Sequence, residues 1–183
     1  TLIKECMNEL GINDKEYPPR SISGAISQAK NQLLTPAGFE RQAYDQFSHT
    51  VAKVYHLYQE KISRNNAVDF DDLIFLTVRL FKEYPQVLAY YQDRFRHILV
   101  DEYQDTNHAQ YVLINLLAEK HRNLLVLGDP DQGIYSWRGA DINNILSFER
   151  DYPEARVIKL ERNYRSTGAI LEAANHLIRY NIN

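Results

Sequence analysis

An apolar run, Ile98-Leu99-Val100, leads straight into Asp101-Glu102. Ligands of parallel α/β sheets gather at the carboxyl ends of strands, so two acids there suit phosphate chemistry. Asp101 can hold Mg²⁺, directly or through water, with the metal bridging nucleotide phosphate oxygens. Glu102 can orient or deprotonate an attacking water. The same run can also be an acidic turn left in solvent after a strand, and the pair alone does not separate the two. A second apolar run, Leu124–Leu127, enters the loop Gly128-Asp129-Pro130-Asp131-Gln132-Gly133-Ile134-Tyr135-Ser136-Trp137-Arg138-Gly139-Ala140. Its three glycines let the backbone take unusual dihedrals. Gln132 stands just beyond the strand end, beside the site the acids would serve. Tyr135, the chain's single tryptophan Trp137 and Arg138 follow it. Two aromatic faces and a guanidinium make a platform on which bases of a single strand can stack, each contributing about 1–3 kcal/mol. Taken alone, Tyr-x-Trp also fits two core aromatics beneath a helix. A third apolar run, Arg156–Leu160, precedes Glu161-Arg162-Asn163-Tyr164-Arg165-Ser166. Arginine offers phosphate a planar fork of donors and keeps its charge. An arginine reaching a γ-phosphate from a neighbouring domain stabilises transition-state charge. A surface arginine beside a helix start is the plainer alternative.

These groups need elements to hold them. Residues 1–66 read as wholly helical: Leu2, Ile3, Cys6, Met7 and Leu10 follow helical spacing, and Gly11 marks a stop. Pro18 and Pro19 make a connector. Ser21 is placed to cap a second helix that turns Ile22, Ile26, Ala29 and Leu33 inward. Pro36 and Gly38 break the pattern again. One long helix is predicted from Phe39 to Arg64, with Ala43, Phe47, Val51, Val54, Tyr58 and Ile62 at steps of three and four. Asn65 and Asn66 end it. Asp69 is placed to cap a helix through Leu73, Leu76, Leu80 and Phe81, and Pro85 opens a shorter one. The three apolar runs, His97–Val100, Leu124–Leu127 and Arg156–Leu160, are of strand length. They alternate with helical segments near Ala109–Lys120 and Asp141–Glu149, and another helix starts near Thr167. Alternation of this kind predicts right-handed crossovers and a parallel sheet. The expected class is α/β, a partial sheet with an all-helical subdomain on its N-terminal side.

The strings around these residues resemble the UvrD/PcrA/Rep type of superfamily 1 DNA helicases. Leu99-Val100-Asp101-Glu102-Tyr103-Gln104-Asp105-Thr106-Asn107 is similar to the family's second motif, which implies Mg²⁺ and water activation for Asp101 and Glu102, with Gln104 and Asp105 nearby. The Gly128–Ala140 loop is similar to the third. That implies γ-phosphate sensing by Gln132, base packing by Tyr135 and Trp137, and Arg138 beside the strand or bracing the acids. The family more often has serine at position 133 and glycine at position 136; neither change removes a chemical group. Glu161–Ser166 is similar to the fourth motif, which implies an arginine finger at Arg165 and adenine stacking by Tyr164, with no role for Arg162. Val68-Asp69-Phe70-Asp71-Asp72-Leu73 resembles a segment where the family's chain re-enters its first motor domain. Its acids read either as caps on a helix surface or as a structural network beside a DNA groove. The match is strong over about residues 67–170 and only positional over 1–66. It implies a RecA-like P-loop NTPase sheet. The division it suggests is a helical inserted subdomain over 1–66, part of the ATPase domain over 67–160, and from 161 to 183 the start of a connection to a second motor domain.

By that resemblance the expected activity is ATP-dependent, 3′-to-5′ movement on single-stranded DNA or DNA junctions, in repair or replication, with ATP and Mg²⁺ as cofactors. No glycine in the chain is followed by lysine, so the Gly-x-x-x-x-Gly-Lys-Ser/Thr loop that cradles phosphates is missing. The chain opens on Thr1 without methionine and stops in a predicted helix. Both ends are expected to lie within a longer protein, and the chain alone is expected to be inactive. Two alternatives stand beside this: a fragment of a helicase–nuclease subunit, and a non-catalytic DNA-binding or protein-docking module of the same fold. Composition narrows the field further. One cysteine among 183 residues excludes an intramolecular disulfide framework and a cysteine-rich zinc site. It also fits a reducing cytoplasm. A net charge of −3 announces no polyanion partner, although a groove can be locally basic. No apolar run approaches membrane-spanning length, so no membrane partner is expected.

Overall fold

A computed structural model describes residues 1–180. The first 66 residues form four helices: α1 (Leu2–Glu9), α2 (Pro19–Asn31), α3 (Pro36–Glu40) and α4 (Gln46–Arg64). Their inward residues Ile3, Cys6, Met7, Ile22, Ile26, Ala29, Val51, Val54 and Tyr55 close into one buried cluster. The helix ends explain the spacing. Gly11 takes φ +66° after α1, the Gly11 N–H donates to the Asn8 carbonyl, and the Ile12 N–H reaches back to that of Met7. This is a Schellman closure. Asn66, at φ +48°, ends α4 in the same way through Ala67 and Ile62.

Two details of the helical reading are corrected. Pro19, not Ser21, opens α2, so Ser21 lies inside the helix. Proline is tolerated at a first helical position, where its missing N–H would go unpaired anyway. The predicted helix from Phe39 to Arg64 is two helices. Asp45 caps α4 through a reciprocal box: its carboxylate accepts the Ser48 N–H at 2.7 Å, and Ser48 Oγ accepts the Asp45 N–H at 3.1 Å. That box satisfies donors a continuous helix would otherwise carry forward.

Beyond residue 66 come α5 (Asp72–Glu83), α6 (Pro85–Arg94), β1 (Ile98–Val100), α7 (His108–Ala118) and β2 (Leu124–Val126). The short helices α8 (Asn143–Leu146) and α9 (Phe148–Asp151) follow, and then α10 (Gly168–Ile178). β1 and β2 pair in parallel, Ile98 with Leu124 through Val100 with Val126, with α7 as the crossover. Asp71, not Asp69, stands at the N-cap of α5 and makes no side-chain cap bond, whereas Asp69, two residues earlier, accepts the Asp72 N–H at 2.8 Å. The inward face of α5 is Asp72, Phe75, Val78 and Phe81, whereas Leu73 and Leu80 are exposed. The third expected strand, Arg156–Leu160, is not a strand. It makes no backbone ladder bond among the described residues, and Val157, Ile158 and Leu160 are exposed. A strand is defined by its neighbour, and no described strand lies in register with it. The described chain is therefore mostly helical, with a small two-stranded parallel sheet. No described helix is long and apolar enough to cross a membrane.

Candidate functional site at the ends of the two strands

Both loops of interest leave the carboxyl ends of β1 and β2, on neighbouring strands. The ladder continues into them: the Leu127 N–H donates to the Val100 carbonyl at 2.8 Å, and the Tyr103 N–H to that of Leu127 at 2.9 Å. Between these bonds the chain turns sharply at the acids. Glu102 sits in the left-handed region, φ +51° and ψ +44°, a conformation that costs a non-glycine residue energy. Its N–H donates to Asp101 Oδ1 at 2.9 Å. Both carboxylates are exposed.

A single buried side chain ties the two loops together. Gln104 is 1% exposed. Its Nε2 donates to Glu102 Oε2 at 2.8 Å, and its Oε1 accepts the Asp129 N–H at 3.0 Å. Asp129 passes the connection on, because its Oδ2 accepts from Gln132 Nε2 at 2.8 Å. Glu102, Gln104, Asp129 and Gln132 thus form one hydrogen-bonded chain. The approach depends on Gly128: a Cβ there would stand 2.5 Å from Gln104 Oε1 and 2.8 Å from Ile145 Cδ1. Tyr103 anchors the turn from beneath. It is wholly buried and meets the Phe148 ring edge-on at 5.8 Å. Burial pushes its phenol well above the usual tyrosine range.

A cavity of about 320 Å³ opens beside the acids, lined by Asp101, Glu102, Asp105, Thr106 and Gln110 with Val100, Leu113 and Ile114. The buried Oδ1 of Asp105 has no hydrogen-bond partner. No cluster of three or more His, Cys, Asp or Glu able to hold a metal exists among the described residues. Mg²⁺ needs no such cage, since it takes one or two carboxylates and completes its shell with water and phosphate. An exposed Asp101 at a strand end fits that donor set.

Past Gln132 the loop carries the aromatics outward. The Tyr135 and Trp137 rings lie 6.3 Å apart, tilted by 40°. Arg138 spans both, its guanidinium carbon 4.6 Å from the Trp137 centroid and 5.7 Å from that of Tyr135. Trp137 is 73% exposed, which removes the alternative that it is a core aromatic. Gly139 closes the loop at φ +87°, and Ala140 bridges back to Asn107, the residue that caps α7.

The remaining candidates do not join this group. Tyr164 and Arg165 are exposed. Among the described residues no hydrogen bond or ion pair connects either to Asp101, Glu102 or Gln132. The Arg162 guanidinium lies 5.1 Å from the Tyr164 centroid, a contact the sequence did not suggest. The acids of 69–72 prove to be a structural network. Lys30, 1% exposed, places Nζ at 2.6 Å from Asp69 Oδ2 and 2.8 Å from Asp72 Oδ1. Sequence reading missed Lys30. The available signal was its position four residues after Ile26, on the inward face of α2.

Strand-end acids, a glutamine linked to them and an outward aromatic loop thus lie within one short stretch of the chain. The chain belongs to the UvrD/REP helicase N-terminal domain family, whose model matches residues 1–153. It is 57% identical over 181 residues to the ATP-dependent DNA helicase PcrA of Staphylococcus aureus, covering 99% of this chain and 25% of that one. The PcrA proteins of Leuconostoc citreum and Staphylococcus epidermidis are 54% and 56% identical over the same length. The chain thus spans about a quarter of the length of the curated relatives it matches.

Proposed function

We propose that this chain is part of an ATP-dependent 3′-to-5′ DNA helicase that couples ATP hydrolysis to movement on single-stranded DNA, in repair or replication. One observation carries the reading: the hydrogen-bonded path from Glu102 through Gln104 and Asp129 to Gln132, in a segment that continues to Tyr135, Trp137 and Arg138. Catalytic acids and a base-stacking platform on one short stretch let nucleotide state and strand grip act on each other. In this reading β1 and β2 belong to a RecA-like sheet, with residues 1–66 as a helical subdomain, 67–160 as part of the ATPase domain and 161–183 as the start of a connection onward. Asp101 would hold Mg²⁺, which supplies charge neutralisation at the phosphates when bound. Glu102 orients the attacking water and accepts its proton. Gln132 reads the γ-phosphate, Arg165 acts as the finger and Tyr164 stacks on adenine. Tyr135, Trp137 and Arg138 bind the strand, and the parent protein works in the cytoplasm. The relatives' name, ATP-dependent DNA helicase, supports ATP and DNA as partners.

Binding of oligo(dT) by the chain, with and without Trp137→Ala, tests the platform. Weak, salt-sensitive binding is expected, and losing one stacked base costs about 1–3 kcal/mol. Equal affinities for the two proteins would remove the platform. The same preparation is expected to show no DNA-stimulated ATP turnover, because it lacks the phosphate cradle; measured turnover would overturn that part.

A further inference from the structure

We propose that Asn31, at the end of α2 in the helical part of the chain, is a positioning residue for the Tyr135–Trp137–Arg138 platform. This rests on the platform reading above. Asn31 Oδ1 accepts from Asn107 Nδ2 at 3.0 Å, across 76 residues of sequence. Asn107 caps α7 immediately after the acidic turn and bridges in antiparallel fashion to Ala140, the residue that ends the aromatic loop. Asn31 also lies beside that loop's closing turn. Its Cβ and Nδ2 lie 4.0 Å from where a Cβ on Gly139 would stand. Its side chain therefore stands beside the platform loop and bonds to Asn107, whose backbone bridges to Ala140 at the loop's end.

The anchor itself cannot drift. The preceding residue, Lys30, is fixed by Asp69 and Asp72 at 2.6 and 2.8 Å. The helix stops just beyond, where the Leu34 N–H returns to the Ala29 carbonyl and Leu33 turns to φ +56°. Further support comes from Asp141, whose N–H donates to the Thr106 carbonyl at 2.9 Å, and Asn144, whose Nδ2 donates to the same carbonyl at 3.0 Å. Those bonds hold the far side of the loop. On the near side the anchoring group is Asn31. Its side chain thus links the helical part to the loop that carries the aromatics.

The single tryptophan makes the test direct. Selectively excited Trp137 emission, followed by anisotropy decay, reports platform mobility on the nanosecond scale with no DNA present. Asn31→Ala is expected to enlarge the fast component and weaken oligo(dT) binding roughly three- to tenfold, the range a lost neutral hydrogen bond gives. Asn31→Asp keeps the acceptor for Asn107 Nδ2 and is expected to restore both. Asn31→Ser, too short to reach, replaces the alanine variant if that one does not fold. Unchanged anisotropy in Asn31→Ala or Asn31→Ser, even with a lowered melting temperature, overturns the proposal. So does an Asn31→Asp protein as mobile as the alanine variant. If the parent chain binds no oligo(dT) while the anisotropy follows the expected order, the platform reading fails and the positioning role stands.

Discussion

Replacing Lys30 with methionine isolates the energetics of the ionic knot between the helical part and α5. The substitution keeps an unbranched apolar stem and removes the ammonium, with its charge and its hydrogen-bond donors. In the parent the ammonium is the buried partner of two carboxylates at 2.6 and 2.8 Å, and Asp72 is itself wholly buried. Breaking a buried pair from one side costs about 3–5 kcal/mol, because the opposite charge remains in low dielectric. A domain has about 5–15 kcal/mol in total, so Lys30→Met removes about a fifth or more. Asp69 gives the effect a pH signature. Burial pushes its carboxyl upward, but the hydrogen bond from Lys30, the Asp72 N–H and the Lys30 charge outweigh that and hold it below the usual aspartate range. A depressed folded value contributes stability above the unfolded pKa, near 4, which is lost as pH falls through the folded one. Without Lys30 that depression weakens. Burial stays while the Lys30 hydrogen bond and charge are gone, leaving only the Asp72 N–H and the Tyr58 hydroxyl to hold Asp69 down, so less stability is lost on acidification. Urea unfolding followed by circular dichroism at several pH values reads both effects. A Lys30→Met protein within about 0.5 kcal/mol of the parent, the range of an ordinary surface change, or one whose stability falls on acidification as steeply as the parent's, would refute the reasoning.

Two further substitutions address the bridge at the strand ends. Gly128→Ala drives a methyl against Gln104 Oε1 and Ile145 Cδ1, and the overpacking is expected to cost about 1–3 kcal/mol in thermal unfolding. Its oligo(dT) affinity should fall with it, since Gln104 cannot yield without releasing Asp129. Gln104→Leu breaks the half-buried bond in which Gln104 Oε1 accepts the Asp129 N–H, and it leaves Glu102 without its amide donor. It is expected to cost about 1–3 kcal/mol by urea unfolding, and a protein as stable as the parent would mean the bridge carries nothing.

The parts of the site legible in sequence are those whose chemistry is local. Asp101 and Glu102 follow an apolar run directly, so their place at a strand end could be read from adjacent residues. The stops at Gly11 and Asn66 could be read in the same way, because a left-handed residue closes a helix within its own turn. What resisted reading depends on distant partners. Arg156–Leu160 has the composition of a strand, but a ladder needs a second chain segment beside it, and composition cannot supply one. Lys30 reads as solvent-facing by type. Only its inward helical register, together with three acids some forty residues later, could have marked it as buried. The split at Asp45 was hidden because the apolar steps run unbroken from Phe39 to Ile62, and the reciprocal bonding of Asp45 with Ser48 overrides them. Gln104 could be named as a neighbour of the acids. Its role as the link to Asp129 required the fold that sets the two loops side by side.

The backbone at Glu102 has a consequence for how this chain can vary. A glycine would occupy that left-handed turn at ease, whereas any side chain there forgoes roughly 1–2 kcal/mol of backbone comfort. The backbone alone would prefer the smallest residue at this corner. The Glu102 carboxylate answers that preference by accepting from the buried Gln104 Nε2, a bond a glycine would forfeit. Exchange to glycine therefore trades backbone ease against an orphaned amide of comparable cost, about 1–3 kcal/mol, and stability alone gives this position little reason to drift.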